Sequence, residues 1–378
     1  METLPSCSVV VTTCVDSPGL RANLAQVGPQ ARAIGADVCL IFNCAENAIP
    51  AVVRAELGAL VDVLLFEPEP GKSNALNTAI ARMQGEVIAF TDDDAIPGTG
   101  WLRALLQPFA EDAKVVGVGG PVLPQFDGDG PPTWYRRILA RKPSTFLGPK
   151  HFMGNDPVDY TYPTGDKIDG VPLGANCAWR REALLRHPYP PTLGPNRATG
   201  LRGGEDTFVA IQIMAEGGRV VHQPSARVCH PVEAGRISRE YVLNGHRIQA
   251  TEYVRIMQHL GRPMPDLARL ERYGNILERQ RKRNVFLGED RAFRRDTKLA
   301  FVKQLIVELK SLPAESGMPA WACVVSRTRI HMSGVVVCQD GEDTIEAVLA
   351  SLAPRCRRSW SWMVAAATGP WSAPCVAR

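Results

Sequence analysis

Residues 86–94 read EVIAFTDDD, a short apolar run that ends in one threonine and three consecutive carboxylates. Continuous apolar runs of this length, bounded by turn residues, are typical of strands buried on both faces of a mostly parallel sheet. Three further runs of this kind lie at residues 8–11, 38–42 and 61–65. Segments with helical spacing come between and after the runs, notably at 74–81 and 101–109. This alternation predicts an α/β fold, a doubly wound mostly parallel sheet with helices on both faces.

Beyond residue 110 the sequence predicts loops and then a second set of short elements. Residues 120–172 are rich in Pro, Gly and aromatic residues, which is typical of long loops over a site. Residues 117–120, GVGG, lack the spacing of a dinucleotide-binding loop and predict a tight turn. The later elements are predicted as helix at 177–186 and 205–216, strand at 219–222 and 226–229, and mainly helix at 236–283.

The C-terminal part is predicted to be a helical and poorly defined extension. Residues 301–312 can form an amphipathic helix, and residues 334–352 repeat the β–α pattern of the opening segment. Three tryptophans near the end have no periodic apolar pattern to join, so an interaction tail and an altered reading frame both fit this composition. We therefore divide the chain into an α/β domain, residues 1–285, and an extension, residues 286–378, that holds a helix, a partial second β–α unit and an irregular tail.

Composition limits the partners and the location that we expect. The chain has 43 basic and 39 acidic residues, a net charge of +4, which is too even to predict binding to nucleic acid. The N-terminus has no basic segment ahead of an apolar run, and no stretch approaches the ~18 apolar residues of a membrane helix. We therefore expect a cytoplasmic protein. Residues 134–142 mix basic and apolar side chains, which suits an ordinary surface helix but also a peripheral contact with an anionic membrane.

The three carboxylates at 92–94 are the strongest chemical signal. In open α/β sheets, ligands bind beyond the carboxyl ends of the strands, where these residues are predicted to lie. Adjacent carboxylates repel one another unless a positive group lies among them, and a divalent cation with oxygen ligands meets that need. A solvated acidic turn is the simpler interpretation. The position at a strand end favours a site for a divalent cation, Mn²⁺ or Mg²⁺.

Two further positions are candidates for chemistry. Glu205 and Asp206 follow two glycines and open a predicted helix, where carboxylates commonly act only as helix caps. A carboxylate kept ionised at that position can also accept a proton from an attacking hydroxyl. His230 follows a predicted strand, and although a single histidine is more often structural, an imidazole facing the aspartates would complete a cation site.

Residues 69–77, EPGKSNALN, contain Gly-Lys-Ser but do not form a P-loop. That motif requires a glycine five positions before Gly71, and Phe66 stands there. Lys72 is nevertheless predicted to open a helix, and helix N-termini bind anions such as phosphate.

Five segments together resemble the family-2 glycosyltransferases, which have the GT-A nucleotide-sugar fold. These are SVVVTT at 8–13, GKSNALN at 71–77, TDDD at 91–94, GANCAWRREAL at 174–184 and GGEDT at 203–207. The resemblance covers roughly residues 5–260. Each segment alone is a moderate signal, whereas their order and spacing are specific.

The resemblance implies roles for the donor side of the site. It places the donor nucleotide against Thr13, Asn43, Lys72, Asp92 and Asp93. It makes Asp94 a metal ligand, with His230 added to the metal shell. Family members usually carry an aspartate that reads the base where Asn43 stands, and because an asparagine both donates and accepts, the nucleotide is not specified.

The resemblance also implies the reaction. Asp206 is similar to the family's catalytic base, with Glu205 beside it positioning the acceptor, and Gly174 and Asn176 fall in the acceptor or sugar pocket. The expected activity is inverting transfer from a nucleotide-diphosphate sugar to a saccharide or lipid-linked acceptor, in surface polysaccharide or glycolipid synthesis. The QxxRW motif and membrane helices of processive members are absent from the sequence, so we expect one sugar per encounter.

Two other functions remain open at the level of sequence. A sugar-phosphate nucleotidyltransferase uses a related sheet, but its glycine-rich basic loop is absent here, where residues 14–18, CVDSP, have one acidic and no basic residue. A non-catalytic nucleotide-sugar binding protein is the second alternative. The presence of Asp92, Asp94 and Asp206 favours an enzyme over such a binding protein.

Overall fold

A computed structural model of the chain describes residues 3–126, 130–136, 156–165, 170–283 and 289–312. The predicted second β–α unit and the tryptophan-containing tail lie outside these residues, as does most of segment 134–142. The strands are β1 Cys7–Thr13, β2 Asp37–Phe42, β3 Val63–Phe66, β4 Val87–Asp92, β5 Ile96–Pro97, β6 Val115–Gly119, β7 Val122–Gln125, β8 Val158–Asp159, β9 Asn176–Arg180, β10 Arg219–His222 and β11 Val228–Pro231. The α-helices are α1 Pro18–Arg32, α2 Ala51–Gly58, α3 Lys72–Arg82, α4 Trp101–Glu111, α5 Arg181–Arg186, α6 Glu205–Ala215, α7 Arg239–His259, α8 Leu267–Arg283 and α9 Glu289–Ser311.

Eight strands form the main sheet in the order β3-β2-β1-β4-β9-β6-β10-β8. The pairs among β3, β2, β1 and β4 are parallel, as is the pair β6–β10. Strand β9 runs antiparallel between β4 and β6, and β8 runs antiparallel beside β10. The predicted α/β fold with a mostly parallel sheet is confirmed.

The buried strands supply both cores because successive side chains point to opposite faces of the sheet. Val9 and Val11 of β1 join a core with Leu20 of α1 and other residues of α1 and α4. Val10, between them, joins the opposite core with Leu76 of α3 and residues of α5 and α6. Helices therefore cover both faces, as predicted.

Three further strands form a second sheet in the order β5-β11-β7, and one of them, β5, closely follows the carboxylate triplet in sequence. Strand β5 begins two residues after Asp94 and pairs antiparallel with β11, with Cys229 opposite Ile96. Strand β11 also pairs in parallel with β7. The predicted strand at 226–229 thus begins two residues later than expected, and His230 lies inside it.

The helix predicted at 177–186 is confirmed only over 181–186, and the turn predicted at 117–120 is wrong for 117–119. Residues 176–180 form β9, because this segment fills the slot between β4 and β6, and only 181–186 are helical. Residues 117–119 belong to β6, whose glycine leaves room for an aromatic ring. A Cβ on Gly117 would lie 2.3 Å from the ring of Trp179. Tertiary packing thus overrides the local preference in both segments.

The predicted helical region at 236–283 contains two long helices, α7 and α8, separated by a break that includes Gly261 at φ +60°. The helix predicted at 301–312 starts earlier, as α9. Leu305 of α9 packs against Ala250 and Val254 of α7, so the described part of the extension continues the packing of the larger domain. The division at residue 285 stays a prediction. Within the described residues, no helix is long and apolar enough to cross a membrane.

We predict that Gly120→Ala destabilises the fold and that Gly274→Ala does not. A Cβ on Gly120 would lie 2.0 Å from the backbone oxygen of Ala226, so the junction of the two sheets must shift, at a cost of about 1–3 kcal/mol. In α8, a Cβ on Gly274 would make ordinary contacts at 3.5 and 3.6 Å. Alanine at this position should raise the free energy of unfolding by up to about 1 kcal/mol. Urea unfolding followed by circular dichroism measures both changes. A G120A protein as stable as wild type would contradict the tight junction.

Candidate active site

The carboxyl ends of β1 and β4 bring Thr13 and Asp93 together. The Thr13 hydroxyl donates a hydrogen bond to the Asp93 carboxylate. Burial raises the pKa of Asp93, and the neighbouring carboxylates add to this effect, whereas the hydrogen bond from Thr13 opposes it. Asp93 is therefore tied to the end of β1, and its neighbours Asp92 and Asp94 are the carboxylates of the triplet that could hold a metal ion.

Asp92, Asp94 and His230 form the group that can hold a metal ion. One ligand atom of each lies within 4.8 Å of the others. The ring of His230 has its Nε2 3.0 Å from Asp94 Oδ1 and its Nδ1 2.9 Å from the carbonyl oxygen of Pro231. A backbone partner for Nδ1 is the usual arrangement that directs Nε2 toward a metal. Two carboxylates and an imidazole fit Mn²⁺ or Mg²⁺.

The charges around Asp94 suit an exchange of protons for a cation. Burial alone would raise the pKa of Asp94, but the hydrogen bond and charge of His230, with Arg236 and Lys72, lower it. Burial alone would lower the pKa of His230, and Asp94 raises it instead. Each residue of the pair therefore favours the charged form of the other, and a cation that binds Nε2 requires that nitrogen without its proton.

Arg236 is a neighbour of the site that the sequence did not indicate. It lies in a short 3₁₀ helix, Ala234–Ile237, and its Nη2 is 3.9 Å from Asp94 Oδ2. No motif contains it. Its only sequence signal is a position six residues after His230.

Lys72 connects the metal carboxylates with the candidate catalytic pair. Its ammonium group contacts the Asp92 carboxylate and lies 4.0 Å from Glu205 Oε1. Burial would lower the pKa of Lys72, but the charges of Asp92 and Glu205 raise it, so the group stays positive. The predicted helix start is confirmed, since α3 begins at Lys72.

Glu205 and Asp206 open α6 after Gly204, whose φ is +98°. Glu205 is 3% exposed, and its Oε2 has no hydrogen-bond partner among the described residues. Burial, followed by the charge of Asp206, raises the pKa of Glu205 to about 8. Its carboxyl group is thus largely protonated at neutral pH.

Asp206 is only partly buried and is oriented by two backbone groups. The N–H of Gly174 donates to its Oδ2 at 2.9 Å, and the N–H of Thr207 donates to its Oδ1 at 2.7 Å. A Cβ on Gly174 would lie 3.3 Å from the same carboxylate. Gly174 therefore holds Asp206 directly through its backbone N–H group.

One pocket is lined by Lys72 and by the carboxylates of Asp92, Glu205 and Asp206. It is lined by Val10, Thr12, Lys72, Leu76, Phe90, Thr91, Asp92, Gly174, Tyr189, Glu205 and Asp206. The structure therefore places the candidate base, the lysine and one metal carboxylate around a single space with an apolar floor.

Asn176 is not among the residues that line this pocket. Its side chain is fully buried, accepts a hydrogen bond from Trp101 Nε1 at 2.8 Å, and donates to the carbonyl oxygens of Pro121 and Ala226 at 2.9 and 2.7 Å. This geometry favours a supporting role for Asn176 over contact with a sugar. The side chain of Asn43 is likewise bonded to backbone, within the loop that precedes Lys72.

Comparison with known proteins agrees with the geometry. Residues 8–170 match the family described as Glycosyl transferase family 2. Over this part, which is less than half of its length, the chain is similar to the family-2 glycosyltransferases. The sheet order described above agrees with the GT-A-like fold expected for this family.

The family-2 match is accompanied by distant relatives. Over 191 residues the chain is 27% identical to the glucosyl-dolichyl phosphate glucuronosyltransferase of Haloferax volcanii, covering 47% of this chain and 54% of that protein. Over 173 residues it is 30% identical to the succinoglycan biosynthesis protein ExoM of Rhizobium meliloti, covering 45% and 48%. The chain spans about half the length of the curated relatives it matches. The solved mannosyltransferase PcManGT from Pyrobaculum calidifontis, in complex with GDP-Man and Mn²⁺, gives a TM-score of 0.46 at 17% identity, over 93% of this chain and 81% of that one.

We predict that Glu205→Gln makes the protein more stable at high pH only. Because the pKa of Glu205 is raised from 4.5 to about 8 by folding, the unfolded chain releases this proton at a lower pH than the folded one. The wild type therefore loses stability as pH rises through that window, and the variant does not. At pH 9 the variant should be more stable by on the order of a few kcal/mol, since each pKa unit corresponds to about 1.4 kcal/mol.

Urea unfolding of both proteins at a series of pH values between 4 and 9 measures this difference. Glu182→Gln, which changes an exposed carboxylate, is the matched control and should show no comparable effect. A difference between E205Q and wild type that does not vary with pH would contradict the raised pKa.

Proposed function

We propose that this chain is a metal-dependent, inverting glycosyltransferase that moves a sugar from a nucleotide-diphosphate donor to a saccharide or lipid-linked acceptor. The observation that carries the proposal is that Asp92 takes part in two groups of residues. It belongs to the metal-binding group with Asp94 and His230, and it also lines the pocket that contains Asp206. A cation on the diphosphate and a base for the acceptor can therefore act on one sugar.

On the donor side, the residues of the chain hold charge in place. Lys72 neutralises Asp92, and Thr13 fixes Asp93 against β1, so that Asp92 and Asp94 keep their positions without mutual repulsion. A bound Mn²⁺ or Mg²⁺ would compensate the charge that develops on the leaving diphosphate. The ribose and the diphosphate would lie along the edge formed by Thr13 and these carboxylates.

On the acceptor side, Asp206 takes the proton. The N–H groups of Gly174 and Thr207 orient its carboxylate and leave lone pairs free for an acceptor hydroxyl. As the acceptor oxygen bonds to the anomeric carbon, its proton passes to Asp206, and the bond from that carbon to the diphosphate oxygen breaks. A single displacement from the opposite side inverts the anomeric centre. Glu205, buried next to Asp206 and protonated, would donate a hydrogen bond to a sugar hydroxyl.

The names of the relatives support a role for this chain in polysaccharide or glycolipid synthesis. One relative is named for a dolichyl-phosphate-linked sugar and another for succinoglycan. We extend the proposal to a cytoplasmic enzyme that meets a lipid-linked acceptor by peripheral contact at the inner face of the membrane. Nucleic acid is not an expected partner.

We predict that Asp206→Asn abolishes transfer and retains donor binding. Loss of a general base typically costs 10²–10⁴-fold in rate, whereas the nucleotide and metal contacts lie on other residues. Calorimetric titration with a panel of nucleoside diphosphates in the presence of Mn²⁺ measures binding. Release of nucleoside diphosphate from nucleotide sugars, with a membrane lipid extract as the source of acceptors, measures transfer.

Asp159→Asn, which changes an exposed aspartate paired with Arg219, is the matched control and should alter neither quantity. Unchanged transfer by D206N would remove the role of the base. A wild type that binds a diphosphate but transfers no sugar under any condition would indicate a non-catalytic nucleotide-sugar binding protein.

We predict that Asp94→Asn and His230→Ala each weaken Mn²⁺ binding at least about tenfold. Each variant removes one member of the three-residue group, and loss even of a group that only supports a ligand typically costs 10–100-fold in metal affinity. Titration with Mn²⁺ followed by the electron paramagnetic resonance signal of the free ion measures affinity without any substrate. His187→Ala, a histidine paired with Glu216 away from the group, should bind as wild type does. Equal Mn²⁺ affinity in all variants would exclude this metal site.

A further inference from the structure

Asn43 lies at the end of β2, at the edge of the sheet where a nucleotide base is expected, yet its side chain points to backbone. Its Nδ2 donates hydrogen bonds to the carbonyl oxygens of Glu67 and Glu69 at 3.1 and 2.7 Å. Its Oδ1 accepts from the N–H of Gly71 at 2.7 Å. Both N–H groups and the oxygen of this amide are therefore committed to one short loop, residues 67–71.

This loop determines where α3 begins. Gly71 has φ +123°, a conformation that favours glycine, and the helix starts at the next residue. The loop is also held from outside the sheet, because the carbonyl oxygen of Pro70 accepts hydrogen bonds from the side-chain amides of Asn74 and Asn196, each at 3.1 Å. Asn43 thus fixes the loop from the side of the sheet.

Lys72 is the residue that directly follows this loop. Its backbone N–H donates to Pro195 at 3.1 Å, and its ammonium group reaches the Asp92 carboxylate and lies 4.0 Å from Glu205 Oε1. A lysine ammonium is a point charge on a flexible stem, so its position depends on where its backbone is held. A shift of the loop would therefore move the charge that balances the carboxylates of the pocket.

We propose that Asn43 is a positioning residue that acts on Lys72 through the loop 67–71 and does not read the nucleotide base. The inference rests on the proposed function, since it assigns Asn43 a part in the same donor site. An asparagine is required because the amide both donates and accepts here. An aspartate would keep the bond from Gly71 but would lose both donors and place a carboxylate against two carbonyl oxygens.

A double-mutant cycle between Asn43 and Lys72 tests the proposal. Asn43→Ala should lower kcat/KM for the nucleotide sugar at least about tenfold in the wild-type background, because a displaced charge costs catalysis. In the background of Lys72→Met, which keeps the stem and removes the charge, the same substitution should cost less than about threefold. Additive effects in the two backgrounds would overturn the proposal.

Asn43→Asp distinguishes positioning from base reading. Positioning predicts at least a tenfold loss in affinity for every nucleoside diphosphate of a panel of five bases, in equal measure. Base reading predicts that N43D keeps binding, or that its affinity changes for one base alone, and either result would overturn the proposal. A wild type that binds no nucleoside diphosphate with Mn²⁺ would instead overturn the proposed function, and the two failures are thereby distinct.

Two further variants complete the design. Asn74→Ala removes one hydrogen bond to Pro70, whose oxygen still accepts from Asn196, so it should change kcat/KM by less than about threefold. If N43A does not fold, as judged by circular dichroism, Asn43→Ser takes its place in the cycle, because a serine can still donate one hydrogen bond and accept another.

Discussion

The crowding of carboxylates at one edge of the sheet is the constraint on which the rest of the site depends. Five acidic side chains gather there, and like charges at such short range cannot all remain ionised without compensation. Each has its own partner or surroundings: Asp92 contacts the ammonium of Lys72, Asp93 accepts a hydrogen bond from Thr13, Asp94 pairs with His230, Glu205 is buried with a pKa raised to about 8, and Asp206 accepts hydrogen bonds from two backbone N–H groups.

The fold supplies these partners through two departures from a simple parallel sheet. The antiparallel strand β9 inserts beside β4, and the loop that leads into it presents the N–H of Gly174 to Asp206. The three-stranded sheet brings His230 back to Asp94, because β11 pairs with the short strand that follows the triplet. Asn176 joins the two regions, since its amide binds Trp101, Pro121 and Ala226. The geometry of the site therefore depends on long-range pairing.

The sequence was sufficient to predict those features that are local. The apolar runs identified the parallel strands β1 to β4, and the carboxylates at the end of β4, Lys72 at the start of α3 and Asp206 at the start of α6 lie where their neighbours in sequence place them. Strand β9 was missed because residues such as Ala183 and Leu184 extend a helical pattern back over a segment whose strand conformation is imposed by β4 and β6. The hydrogen bonds of Asn43 and the approach of Arg236 to Asp94 join residues distant in sequence, and no local pattern encodes them.

The site is assembled from two parts of the chain that differ in their likeness to other proteins. The match to family 2 ends at residue 170, whereas Glu205, Asp206 and His230 come after it. The matched part supplies the threonine, the lysine and the aspartates of the donor side, and the later part supplies the candidate base and completes the metal group. A replacement in the loops that precede α6 can therefore change the surroundings of Asp206 without altering Thr13, Lys72 or the aspartates at 92–94.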